Sequence, residues 1–310
     1  MTKREGYYPS NDGMTRIGYT VWLPEGRPAG ILQIAHGMAE HIGRYDRFAC
    51  FLAEHGWLVA GNDHIGHGRS VRSEEDLGFF RQPDGLGCAL EDMHSLRKLI
   101  REEWPEPPYF LMGHSMGSFL ARAYLQQYGQ GLSGCIIMGT GNPPAAVVTA
   151  GLVLCQTKAL AQGWRHRSKQ VESIAIGSYN KSIPDPRTPC DWLTRDTKIV
   201  DEYIASPLCG FTFTLNGFDT LFSAIGQAIS REGIRQIPKD LPLLLVSGEK
   251  DPVGGMGKEV RLACDALKNE GLRNVDLKLY PEDRHEILNE LDHDRVDGDL
   301  LAWLTGHLPR

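Results

Sequence analysis

Residues Gly113-His114-Ser115-Met116-Gly117 match the pattern G-x-S-x-G, a serine held between two glycines at fixed spacing. A serine hydroxyl is a weak nucleophile at neutral pH and becomes reactive when a neighbouring base takes its proton. The surroundings of Ser115 suit that use. The apolar run Tyr109-Phe110-Leu111-Met112 before it predicts a strand, and Ser118 to Tyr128 after it predicts a helix. A serine on so sharp a turn is strained, and bulky flanking side chains would strike adjacent backbone. Gly113 and Gly117 have none to strike with. The helix that follows points its first amides toward the serine oxygen.

Such a serine needs a base, and the base needs an acid to orient it. After a strand–serine–helix turn these follow in the order acid, then histidine, on loops behind later strands. Asp251 lies four residues beyond the run Leu243 to Ser247, in Gly248-Glu249-Lys250-Asp251-Pro252, where Glu249 competes with it. His285 ends the loop Pro281-Glu282-Asp283-Arg284-His285 after the run Val275 to Tyr280. His293 is a second late histidine, but it falls in the charged run Asp292 to Asp294, so His285 is preferred. Amides must also face the oxyanion that forms on attack. That of Met116 comes with the turn. That of Met38, in the loop His36-Gly37-Met38-Ala39-Glu40-His41 after Ile31 to Ala35, is the second candidate.

Other chemistries find less support. His36, His41, His64 and His67 could ligate a metal, but none belongs to an H-E-x-x-H helix, and no metal site is expected. Gly254 to Lys258 hints at a phosphate loop, yet Glu259 replaces the required Ser or Thr and Pro252 stands at the first glycine. No G-x-G-x-x-G follows a strand, so no nucleotide cofactor is expected. With 33 basic and 39 acidic residues and a net charge of −6, nothing sequence-wide attracts nucleic acid. Seven cysteines without a C-x-x-C pair read as reduced thiols in a cytoplasmic protein. The first residues show no apolar secretory core, and no apolar run reaches the length of a membrane span; the nearest is Ala145 to Cys155.

The elements that must position these groups follow from periodicity. The chain opens on paired antiparallel strands, one of them Thr15 to Leu23 behind the turn Asn11-Asp12-Gly13. Short apolar runs at Ile31–Ala35, Trp57–Ala60, Tyr109–Met112, Cys135–Met138, Leu243–Ser247 and Val275–Tyr280 then alternate with helical patterns, including Arg44 to His55. Leu86, Leu90, Met93, Leu96, Leu99 and Ile100 give another helix one apolar face. Such alternation implies a mostly parallel sheet in an α/β fold.

From about 143 to 232 the rhythm breaks, with a helical stretch Pro143 to Gly163, a proline-rich break at Ile183–Pro189, and aromatics at Trp192, Tyr203, Phe211, Phe213, Phe218 and Phe222. This segment reads as a cap inserted into a core of residues 1–142 and 233–310. Lys158, Arg165, His166, Arg167 and Lys169 flank its apolar stretch Ala145 to Leu160, which suits either a lipid-facing lid or, preferred here, a surface helix packed on the core. The acidic stretch Glu282 to Asp299 reads as a solvated helix face.

His36-Gly37 through Glu40-His41 with Arg44-Tyr45, the stretch Asp63-His64-Ile65-Gly66-His67-Gly68-Arg69-Ser70, and Gly113 to Gly117 together resemble the α/β-hydrolase superfamily. More narrowly they are similar to its monoacylglycerol lipase and lysophospholipase branch, grouped with serine-aminopeptidase-like hydrolases. Gly248 to Gly254 and Arg284 to Glu290 extend the likeness, which is weaker across 143–232. The resemblance implies an eight-stranded, mostly parallel sheet with a cap over the site. It also implies Ser115 as nucleophile, Asp251 as orienting acid, His285 as base, and Met38 and Met116 as oxyanion donors. The reading adopted is a serine hydrolase acting on a small acyl ester or single-chain lipid, and the lid alternative would bring transient contact with a membrane surface through the cap. Two other readings remain: a peptidase, with Asp185, Asp191, Glu202 or Asp219 holding the substrate's amino terminus, and a binding protein without activity.

Overall fold

The computed structural model describes residues 1–309. Strands β1 (Thr2–Pro9) and β2 (Arg16–Leu23) form the antiparallel opening pair, and β3 (Gly30–Ala35) follows. A short 3-10 turn, Ile42–Tyr45, leads into α1 (Asp46–Glu54), so the helix expected from Arg44 starts one turn tighter. Then come β4 (Trp57–Asn62), α2 (Gly85–Glu103), β5 (Tyr109–His114), α3 (Met116–Tyr128) and β6 (Gly134–Met138). Five helices separate β6 from the next strand: α4 (Ala145–Gln162), α5 (Lys169–Ala175), α6 (Thr197–Ala205), α7 (Leu215–Ile229) and α8 (Arg231–Gln236). The chain closes with β7 (Leu243–Gly248), α9 (Lys258–Asn269), β8 (Val275–Tyr280) and α10 (His293–Gly306).

Among the described residues the eight strands make one sheet in the order β1-β2-β4-β3-β5-β6-β7-β8. Only β1 and β2 run against their neighbours; from β4 to β8 all pairs are parallel. β3, β4, β5, β6 and β7 are buried along their whole length, as strands covered by helices on both faces must be. Two apolar clusters result, one per face, α1 and α10 contributing to one and α2, α3 and α7 to the other.

Helix α7 packs on α2 and α3 as well as on α4, so the inner layer of the segment 143–232 shares the core. Helix α4 rests on α7 through Val148, Gly151, Cys155 and Ala159. A β-carbon at Gly151 would lie 2.8 Å from the Phe222 ring, so the close approach depends on glycine. The opposite face of α4 leaves apolar side chains uncovered, Val153 57% and Leu160 91% exposed, beside Thr149, Gln156 and Thr157. Helix α4 is thus a surface helix packed on α7, as preferred from the sequence, with apolar residues among those left exposed. All 18 of its residues form a helix of mean hydropathy 1.3 with only 22% buried, long and apolar enough by length and composition to cross a bilayer.

The acidic stretch Glu282 to Asp299 also differs from expectation. Asp283, Glu286, Glu290 and Asp297 are buried, each beside an arginine distant in sequence, and α10 begins only at His293.

Candidate active site

Ser115 joins β5 to α3 at φ 54°, ψ −120°, a region non-glycine residues occupy only under constraint. The constraint comes from both sides. The Ser115 amide donates to Met138 O at 3.0 Å, and the Ser118 hydroxyl donates to Ser115 O at 2.6 Å. A β-carbon at Gly113 would meet Gly117 O at 2.1 Å, and one at Gly117 would meet Ala35 O at 2.0 Å. Backbone cannot yield as a side chain does, so both glycines are required for α3 to start so close to β3.

The other candidates sit, like Ser115, behind the carboxyl ends of parallel strands. Asp251 follows β7 and is wholly buried; His285 follows β8 and is 2% exposed. The imidazole donates from Nδ1 to Asp251 Oδ2 at 3.0 Å. The same oxygen accepts from Ser247 Oγ at 3.0 Å, and Asp251 Oδ1 accepts from the Val253 amide at 2.8 Å. Burial alone would raise the Asp251 carboxyl; the His285 imidazole and these donors outweigh it and hold the group below its ordinary value. Glu249, the sequence competitor, instead faces Arg261, and His293 lies against Asp294.

Ser115, His285, Met38 and Met116 all border one cavity of about 590 Å³. With Nδ1 engaged by Asp251, the Nε2 edge of His285 is left for a reacting group. Among the described residues no hydrogen bond joins it to Ser115 Oγ, and in unliganded sites this contact often tightens only when substrate binds. The amides of Met38 and Met116 have no acceptor among the described residues. Trp192, Tyr203, Phe211, Leu221, Phe222 and Ile225 give the cavity apolar walls. A second hollow of about 830 Å³ adjoins it along α4, sharing Phe119, Tyr179, Phe222, Ile225 and Val253. Phe213 and Phe218, from the same aromatic cluster, are core residues instead.

Glu40, Arg44, Tyr45 and His114, which carry part of the family likeness, form a buried polar network beside the site. Arg44 holds Glu40 at 2.8 Å and Glu286 with two bonds of 2.6 and 2.7 Å. Glu40 Oε1 accepts from the Gly37 amide at 2.5 Å and the Tyr45 hydroxyl at 2.9 Å. His114 Nδ1 lies 2.9 Å from the Tyr45 hydroxyl, and its Nε2 lies 3.3 Å from His285 O. The loop of Met38, the turn of Ser115 and the loop of His285 are thereby tied together. Burial would raise the Glu40 carboxyl, but His114 and Arg44 keep it well below the ordinary range; Glu40 in turn raises His114 against its burial. Only the local spacing Glu40-x-x-x-Arg44 was visible in sequence, since Glu286 lies 242 residues away.

His36 and His67 support the same loop. His36 accepts the His64 amide at 2.9 Å, and His67 accepts the Ala39 amide at 3.3 Å. Burial, with a neighbouring imidazole in each case (His67 beside His36, His64 beside His67), lowers His36 and His67 to about 3, which suits neutral acceptors. Asp63 accepts the amides of Ile42 and Arg69, so the Asp63–Ser70 motif is scaffolding.

A parallel sheet, a strained serine turn and a histidine–carboxylate pair behind later strands define the α/β-hydrolase class. A family model described as serine aminopeptidase, S33, matches residues 26–292, and the chain belongs to that family. Within it the chain is similar to monoacylglycerol lipases. It is 31% identical over 299 residues to the monoacylglycerol lipase of Mycolicibacterium smegmatis, covering 96% of this chain and 95% of that one. It is 26% identical over 297 residues to the monoglyceride lipase of Rattus norvegicus, covering 92% and 85%. Among solved structures, a highly thermostable carboxyl esterase from Bacillus coagulans in complex with glycerol matches over the whole of both chains, with a TM-score of 0.92 and 30% identity.

Proposed function

We propose that this protein hydrolyses the carboxylic ester of a single-chain lipid, a monoacylglycerol or lysophospholipid, through an acyl-enzyme on Ser115. The observation that carries the reading is the meeting of Ser115, the Asp251-bound His285 and two amides without acceptors at one apolar-walled cavity. Ser115 Oγ attacks the ester carbonyl as His285 Nε2 takes its proton. Asp251 fixes the tautomer through Nδ1–H and stabilises the imidazolium. The amides of Met38 and Met116 hold the oxyanion, and His285 returns the proton to the departing alcohol. Water then attacks the acyl group by the same route.

The apolar walls favour an acyl chain, at about 0.8 kcal/mol per buried methylene. The segment 143–232 acts as the cap, and the outer face of α4 makes transient contact with a lipid surface from which substrate enters. Seven unpaired cysteines accord with a cytoplasmic setting. The carboxylates that a peptidase would need, Asp185, Asp191, Glu202 or Asp219, do not border either cavity; Glu172 does.

A panel of acyl esters of graded length, with a lyso-lipid and an aminoacyl amide, tests the reading. Turnover of esters should rise by about fourfold in kcat/KM per methylene until the cavity is filled. Preferential cleavage of the aminoacyl amide would overturn it in favour of the peptidase.

A further inference from the structure

The segment Cys190–Arg195, from the insert, lies along the loop that carries His285. The Glu286 amide donates to Leu193 O at 2.7 Å and the His285 amide to Trp192 O at 3.4 Å. Arg284 Nη1 donates to Asp191 O at 2.5 Å and Thr194 O at 3.2 Å, and the Thr194 hydroxyl donates to Asn289 O at 2.8 Å. The Trp192 indole packs on the His285 imidazole with ring centroids 5.0 Å apart, and Tyr179 packs on Trp192 at the same distance.

A buried polar node closes this seam. Glu290, wholly buried, accepts from Arg195 Nε at 2.9 Å and from the amides of Arg195 and Arg284 at 3.2 and 2.9 Å. Arg195 Nη2 reaches Asp283 Oδ1 at 2.8 Å and Asp292 Oδ1 at 2.5 Å. One guanidinium thus faces three carboxylates, and Asp283 Oδ2 is buried without a partner. A buried carboxylate keeps its charge only beside a cation, and the planar fork of arginine can serve several at once.

The hydrogen bond to Asp251 holds the His285 ring by one edge, and the His114 ring bounds one side of it at 4.7 Å between centroids. The Trp192 indole, tilted by 40° to the imidazole, limits its remaining tilt, provided the segment bearing the indole is fastened. We infer that Trp192 and Arg195 are positioning residues for His285: Trp192 sets the plane of the ring, and Arg195 fastens the segment that carries Trp192. The inference rests on the reading of Ser115, His285 and Asp251 as a triad.

The test uses the full chain, a small fluorophosphonate probe, and a short acyl ester that does not depend on the apolar walls. Trp192→Leu should lower both the labelling rate and kcat by roughly 10- to 100-fold, the scale set by small misplacements of a reacting group. KM should stay within about twofold. The double variant R195M/E290Q removes the half-buried cation together with one of the buried carboxylates it faces, which lessens the charge imbalance of Arg195→Met alone, and should show the same loss in its folded fraction; Arg195→Lys should restore part of the loss that Arg195→Met alone causes. Folding is followed by the thermal midpoint, and rates are normalised to folded protein. Wild-type labelling and kcat in folded Trp192→Leu, or in the folded double variant, would overturn the inference. Failure of the wild-type protein itself to be labelled would overturn the triad reading instead.

Discussion

Asp251 shows how a residue's task follows from its surroundings. It is wholly buried, receives three donors and still carries charge, because burial is outweighed by the groups around it. Replacing it by Asn leaves a side chain of the same size that can present an amide to Nδ1 and so favour the wrong tautomer. Asp251→Asn should lower kcat by about 10⁴-fold, by analogy with serine proteases, with little change in KM. Steady-state kinetics on a chromogenic ester reads this directly, and a loss below about tenfold would count against the assigned role. Ser115 was legible because strain demands glycines at two fixed positions, which sequence displays. Asp251 and Glu249 were not separable in sequence, since either fits a loop after β7 and only the fold turns one toward His285. The Arg44–Glu286 pair lay beyond sequence altogether, because nothing local marks two charges joined across the fold.

Among the elements, α4 is the apolar helix with a partly uncovered outer face. Its inner stripe, Val148, Gly151, Cys155 and Ala159, seats on α7, while Val153 and Leu160 face outward with no cover. Apolar residues fall on both sides of it, mixed on the outer one with Thr149, Gln156 and Thr157, so periodicity could not say which side was covered. Val153→Asp with Leu160→Asp should weaken sedimentation with lipid vesicles at least about tenfold, because charge is poorly tolerated in the acyl region. Hydrolysis of a short soluble ester should be unchanged. Equal vesicle binding by the variant would remove α4 as the contact surface. The acidic stretch after β8 misled in the opposite sense. Charged residues read as solvated, yet Asp283, Glu290 and Asp297 find Arg195 and Arg47, which the sequence places far away.

For the whole molecule, the alternation of strands and helices was readable and the class followed from it, whereas the strand order was not, because pairing depends on long-range crossovers. The fold also fixes how stability responds to acid. His36, His64 and His67 are buried and neutral, all lowered chiefly by burial, His36 and His67 to about 3. Their unfolded forms take up protons below about pH 6.5 while the folded forms do not, so stability falls as pH drops from about 6.5 toward 3. Each contributes up to about 1.4 kcal/mol per pH unit. Asp92 and Asp283, raised mainly by burial, take up protons in the folded state and oppose this in part. Denaturant unfolding between pH 7 and 4.5 should therefore give a net loss of about 1–4 kcal/mol per unit. A flat profile over that range would contradict neutral burial of the histidines.

The central claim is that Ser115 carries the acyl group between the two halves of an ester hydrolysis. Rapid mixing with excess p-nitrophenyl ester, quenched in acid and followed by mass analysis of the peptide containing Ser115, tests it most directly. The expected result is acyl mass on Ser115 during turnover, a mass absent from Ser115→Ala, whose kcat falls by about 10⁶-fold. Acyl mass on another residue, or substantial ester turnover by Ser115→Ala, would contradict it.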